Sequence, residues 1–155
     1  MSKVKSFLTF LILNFGALLI GGLLTGPGVS SEWYTNLNQA PWTPPGWVFG
    51  FAWTAVMICF TFFMTGLYNS KYNRRKVLSL FSIQWILNIS WNVAFFHFQS
   101  PILGLIIISS LTFVIILFLL FYADYKRYRV LYIFPYLSWI IIASSLNLYI
   151  VLYNI

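Results

Sequence analysis

Charge is scarce in this chain. Two carboxylates, Glu32 and Asp124, and nine Lys or Arg leave only 7% of 155 residues charged, while 61% are hydrophobic. A soluble domain of that make-up would expose one contiguous apolar surface, so a soluble domain is excluded. The single cysteine, Cys59, rules out an internal disulfide. With one histidine, His97, on a different segment, no zinc or iron–sulfur ligand set can be assembled, and His97 reads as an ordinary interfacial histidine. The interior of every apolar run lacks carboxylates and lysine. That absence argues against the ionisable relay of a proton-coupled pump and the buried lysine of a Schiff base. Nor is there an internal repeat, which removes the inverted-repeat logic of many transporters.

What remains is long apolar sequence. Five runs cover residues 4–24, 47–67, 77–98, 102–122 and 130–153, and none carries a charge except Lys5 at the start of the first. Each is roughly twenty residues long, enough at about 1.5 Å per residue to cross a hydrocarbon core of about 30 Å. Membrane-barrel strands would be half as long and would alternate polar with apolar. The fold class is therefore all-α integral membrane: a bundle of five transmembrane helices forming a single domain over residues 1–155. The first run lacks a polar, small-residue cleavage site and reads as a retained helix rather than a signal peptide.

The basic residues give a direction. Lys3 and Lys5 precede or open the first run, Lys71, Arg74, Arg75 and Lys76 lie between the second and third, and Lys126, Arg127 and Arg129 between the fourth and fifth. The other two connections carry none. A net charge of +7 is thus a topology signal rather than a nucleic-acid footprint. It sets the N-terminus in the cytoplasm and the C-terminus outside a bacterial cell membrane.

Connection lengths are uneven. Only Gln99, Ser100 and Pro101 separate the third and fourth runs, with Ser100 placed to cap and Pro101 at a first helical position. The connection over residues 25–46 is far longer, and a loop of that length in a compact bundle usually has a task. It holds Trp33, Tyr34, Trp42 and three prolines, Pro41, Pro44 and Pro45, which stiffen it. Ser30 or Ser31 is placed to cap a short helical turn with Glu32 at its positive end. Trp33, Leu37 and Ala40 recur at helical spacing. Two readings stand: a packed lid over a flat apolar ligand, or an interfacial aromatic belt made by Trp33, Tyr34, Trp42 and Trp47.

Along the third run, Gln84, Asn88 and Asn92, with Gln99 just past its end, fall on one side of a helix with Phe95 between them. Carboxamides facing lipid are costly, so this stripe should face the bundle interior, either to bond other helices or to line a cavity. In the fifth run Trp139, Ala143 and Asn147 share a face, and in the second Trp53 and Met57 do. Small Ala143 between an indole and an amide leaves room beside a flat ring. Pro135 is expected to kink the fifth helix and free a carbonyl.

Taken in order, Trp33-Tyr34, the run Pro41-Trp42-Thr43-Pro44-Pro45-Gly46, Trp53, Asn88, Trp91-Asn92, Phe95-Phe96, Pro135-Tyr136, Trp139, Ala143 and Leu146-Asn147 resemble the translocator protein (TspO/MBR) family of bacterial tryptophan-rich sensory proteins. The resemblance spans nearly the whole chain. It implies a five-helix bundle, often a homodimer, with a ligand cavity roofed by the first loop. It also implies porphyrins such as protoporphyrin IX as ligands, with no cofactor required, and in some members light-dependent porphyrin breakdown. By motif position, Trp53 and Trp139 would flank the ring and serve as the reactive indoles. Tyr34 and Trp33 would contact the ligand from the lid, with Asn88, Asn92, Phe95, Gln99, Ala143 and Asn147 along the wall. No metal ligand is implied.

Two departures from the family pattern bear on the ligand. Tyr149 is followed by Ile150, Val151, Leu152 and Tyr153 with no basic residue, which disfavours a sterol by the pattern of animal members. All nine basic residues lie opposite the lid, so porphyrin propionates there would meet only aromatic and amide donors. Stacking and apolar burial would then drive binding. The rival expectations are a small-molecule transporter or channel subunit, and an interaction protein whose lid docks a partner.

Overall fold

A computed structural model describes residues 2–124 and 127–155, with the side chains of 127 and 128 outside the description. Five long helices dominate: α1 (Lys3–Thr25), α3 (Gly46–Tyr68), α4 (Arg74–Asn92), α5 (Pro101–Tyr122) and α7 (Phe134–Asn154). Two single-turn helices complete the series, α2 (Glu32–Thr35) in the long connection and α6 (Arg127–Val130) ahead of α7. Five segments are long and apolar enough to cross a membrane, so the chain is a multi-pass membrane protein.

The five spans close into a ring. Helix α1 packs on α3 and α4, α3 on α7, α7 on α5, and α5 on α4. The centre is filled by apolar side chains, among them Met57, Phe60, Met64, Phe118 and Ile140, all with essentially no exposure. Polar side chains tie neighbouring helices. Asn14 donates to Thr61 Oγ1 at 2.9 Å, Asn69 to Ser6 Oγ at 3.0 Å, and the Trp85 indole to the Leu13 carbonyl at 2.8 Å. In hydrocarbon each such bond is worth about 0.6 to 2 kcal/mol.

Local sequence explains the helix ends. Asn73 Oδ1 accepts from the backbone of Arg75 and Lys76 and starts α4 three residues before the charge-free run. The cations Arg74, Arg75 and Lys76 thus occupy the first turn, against the helix dipole. Ser100 caps α5 and Pro101 takes its first position, as the short connection predicts. Pro135 lies in the first turn of α7, and helical backbone runs into it from α6 through the tight 3-10 turn Leu131–Ile133, so the helix changes geometry just ahead of the proline. One expectation is corrected. The third span ends in a π turn, Val93–His97, and Gln99 comes after it with a left-handed φ of 49°. An extra residue in that turn breaks the register on which the polar stripe depends.

Candidate functional site

The long connection forms a packed cover. Ser31 Oγ accepts from the Tyr34 backbone at 3.2 Å and Glu32 sits in the first turn of α2, which fixes the helix and directs its next two side chains inward. Trp33 meets Phe95 edge-on at 5.4 Å, and Tyr34 lies 5.7 Å from Phe96 and 6.2 Å from Phe95. Gln39 donates to the Tyr34 carbonyl at 2.9 Å and secures the turn. Burial pushes the Tyr34 phenol above its ordinary value, so it is neutral across the physiological range.

The far half of the cover is fastened to α7. The Asn38 backbone donates to Asn154 Oδ1 at 2.7 Å, and Asn154 Nδ2 returns a bond to the Asn38 carbonyl at 3.1 Å. Trp42 donates its indole N–H to Ser145 at 3.1 Å and stands edge-on to Tyr149. The loop aromatics divide into two groups. Tyr34 is buried and Trp33 half-buried, whereas Trp42 and Trp47 are 55% and 72% exposed.

Beneath Tyr34 lies a small space of about 20 Å³, walled by Phe49, Trp91, Phe95, Phe96 and Ala143, with Asn147 also at its edge. Tyr34 and Phe49 also line a recess of about 360 Å³ on the outer side, bordered by Thr43, Pro44 and Pro45. Those two rings therefore separate the outer recess from the interior. At the back, Trp91 stacks on Phe95 at 5.6 Å and donates to Asn147 Oδ1 at 3.2 Å. Asn147 Nδ2 in turn donates to the Pro101 carbonyl at 2.8 Å, tying α7 to the start of α5.

Of the residues expected to form the site, Tyr34, Phe95, Ala143 and Asn147 come together around this small space. The others lie elsewhere in this arrangement. Asn88 and Gln84 are deeper and donate to the Tyr136 hydroxyl at 2.9 and 2.7 Å. Asn92 bonds the carbonyl of Asn88 and abuts Gly21 on α1. Gln99 and Trp33 border a rim recess of about 310 Å³ near Asn154. Trp53 meets Tyr136 edge-on at 6.0 Å, and Trp139 meets Phe49 at 5.5 Å. These two indoles interlock α3 with α7 rather than bracket an open slot. The Trp139 indole N–H is buried with no hydrogen-bond partner among the described residues.

The TspO/MBR family model matches residues 8–153, nearly the whole chain. The chain belongs to the TspO/MBR family. It is 33% identical over 157 residues to the tryptophan-rich protein TspO of Archaeoglobus fulgidus, covering 97% of this chain and 95% of that protein. It is likewise 33% identical over 148 residues to a protein of the same name from Chlorobaculum tepidum, covering 92% and 94%. A tryptophan-rich sensory protein of Cereibacter sphaeroides is 28% identical over 145 residues, covering 91% and 86%.

Within this TspO/MBR chain, Phe49 and Trp91 are wall residues that sequence reasoning misses. Both are within reach of helical periodicity. Phe49 lies one turn before Trp53, and Trp91 lies three residues after Asn88 and four before Phe95. The four-residue spacing of amides leads through Asn92 instead. Successive steps of four residues drift by about 40° each, which carries Asn92 round toward α1.

Proposed function

We propose that this TspO/MBR chain binds porphyrins, protoporphyrin IX and similar tetrapyrroles, beneath its first loop and acts as a sensor, scavenger or carrier. The observation that carries the reading is the ring of aromatic walls around Ala143 under a fastened lid. Tyr34, Phe49, Trp91, Phe95 and Phe96 offer π-faces from three elements, and Ala143 is the one small side chain opposite them. Flat apolar guests gain from such faces without needing a charged partner. Ligand pockets usually hold on the order of 300 Å³ or more, so the rings must part to admit a tetrapyrrole. The outer recess behind Tyr34 and Phe49 supplies the adjoining volume. The buried Trp139 N–H, in contact with Phe49, is a donor for a guest that enters there.

Titration of protoporphyrin IX into the purified protein should give saturable quenching of tryptophan fluorescence. Ala143→Leu, which fills the space, should weaken binding at least tenfold, and the Trp53→Phe, Trp139→Phe double variant, whose indoles lie outside the wall, should reduce quenching with less effect on affinity. Wild-type affinity in an Ala143→Leu variant that melts like wild type would place the ligand elsewhere. The catalytic extension is light-dependent porphyrin breakdown with dioxygen as the oxidant and an electron from Trp53 or Trp139 to the photoexcited porphyrin, which passes it on to dioxygen; it is read by loss of porphyrin absorbance on illumination in air and no loss without oxygen. By this reading the protein lies in a bacterial cell membrane with its lid outside.

A further inference from the structure

The centre of the ring carries hydrogen-bonding capacity that the protein itself does not use. Gln84 and Asn88 lie four residues apart on one face of α4, ten and fourteen residues after Arg74, which sets them roughly 15–20 Å along the span. Both donate an amide N–H to the Tyr136 hydroxyl of α7, at 2.7 and 2.9 Å. Helix α5 packs between α4 and α7, so these bonds reach across the ring. The carbonyl oxygens of the same amides, Gln84 Oε1 and Asn88 Oδ1, are buried and accept from none of the described residues. All three side chains have at most 1% exposure. Phe60 and Trp53 stand edge-on over Tyr136 at 5.2 and 6.0 Å. None of Gln84, Asn88 and Tyr136 lines the space beneath the lid.

These three groups cannot satisfy one another. A phenol oxygen that receives two N–H groups still has its own proton to give, and two carbonyl oxygens still need donors. Turning either amide over would let its oxygen take the Tyr136 proton but would strand its NH2 instead. Counting groups with no bond at all, one donor and two acceptors remain around Tyr136. Asn14 Oδ1 is a further unpaired carbonyl, but its amide bonds Thr61 and lies outside that count. Asn147 shows that burial alone does not create the deficit: its Oδ1 receives the Trp91 indole and its Nδ2 donates to the Pro101 carbonyl. A metal cation would suit the two carbonyls but would face the hydroxyl proton, and no carboxylate lies in any span to offset its charge. A water molecule accepts and donates twice, and buried waters typically make about three such bonds.

We propose that Gln84, Asn88 and Tyr136 form a binding site for a single water molecule at the centre of the bundle. The water accepts from the Tyr136 hydroxyl and donates to Gln84 Oε1 and Asn88 Oδ1, which closes the polar network between α4 and α7. Tyr136 both orients the two amides and donates to the water, so the site does not survive its loss. Each of the three bonds contributes a factor of about five to the water's retention.

The test is pulsed X-ray radiolysis of the full chain in nanodiscs, in which hydroxyl radicals made from a bound water label the side chain beside it, read by mass spectrometry. Tyr136 should take up oxygen although it is fully buried, whereas Phe118, an equally buried ring among apolar neighbours, should not. The Gln84→Met, Asn88→Leu double variant, which removes both acceptors at similar volume, should lower the Tyr136 yield at least about fivefold. A Tyr136 yield no higher than that of Phe118 because both are unlabelled would overturn the proposal. Equal labelling of the two would overturn it as well, since bulk solvent would then be entering the bundle. These two comparisons need only wild type and decide the matter even if the double variant fails to fold. A Tyr136 yield that persists in a double variant melting like wild type would also count against it. So would loss of the Tyr136 label on adding sodium chloride but not choline chloride, because the occupant would then be a cation.

Discussion

Tyr136 carries more of the interior than any other single polar group. Its fully buried hydroxyl receives the Gln84 and Asn88 amides across the centre of the ring. Removing it leaves two buried amide donors unpaired, where water cannot replace the partner. Tyr136→Phe should lower stability by about 1–3 kcal/mol, read as a lower melting temperature in detergent. Tyr153→Phe, 59% exposed, is the matched control and should melt like wild type. Gly104 is the second sensitive position. A Cβ there would stand 2.9 Å from Asn147 Oδ1 and 3.0 Å from the Phe95 ring. Gly104→Ala should therefore destabilise by about 1–3 kcal/mol, whereas Gly50→Ala, with nothing within 4 Å, should be tolerated. Phe95 and Asn147 wall the space under the lid, so the same substitution should also weaken porphyrin binding more than Gly50→Ala does. Gly104 is thus spent inside the subunit and is not available, as its small size alone suggests, for a helix–helix contact with a second copy.

At the scale of elements, the lid is held at two points on α7, and the stronger is reciprocal. Asn154 both accepts from and donates to the Asn38 backbone. Asn154→Ala removes both bonds at an exposed site, a loss of about 1–2 kcal/mol and hence about 5–30-fold more frequent local opening. Hydrogen exchange should accelerate by that factor around residues 34–42 and remain unchanged in α4 and α5. Uniform acceleration would mean the lid opens only with the whole bundle. The lid's existence is legible in the sequence because prolines, an N-cap serine and a long connection are local signals. So are the five spans, since length and absence of charge are counted directly. The π turn at Val93–His97 is not legible. It inserts a residue without any compositional mark, and helical periodicity carried past it misplaces every later position in the span. Periodicity puts Gln99 on the polar stripe for that reason, yet Gln99 lies exposed beyond the helix end.

For the whole molecule, charge and closure set the remaining expectations. All nine basic residues fall, in the sequence, in the N-terminal segment and in the connections after the second and fourth spans, so in a Cys59→Ala background a cysteine at Asn38 should react with an impermeant maleimide on intact cells. One at Asn73 should react only after permeabilisation, and the reverse pattern would invert the assigned topology. Closure bears on the proposed porphyrin binding. The space beneath Tyr34 is about 20 Å³, far below what a tetrapyrrole needs, and α3 is interlocked with α7 through the Phe49–Trp139 and Trp53–Tyr136 pairs. On that reading a receptive state would be a minor population, apparent affinity would be reduced by the fraction open, and opening would precede binding. The observed association rate should then level off as protoporphyrin concentration rises, at a plateau equal to the opening rate. Asn154→Ala should raise that plateau by the factor measured in exchange, while leaving the departure of bound ligand less affected. A rate that climbs linearly with ligand and is indifferent to Asn154 would mean the guest enters without moving the lid, through the α3–α7 seam or another face of the ring.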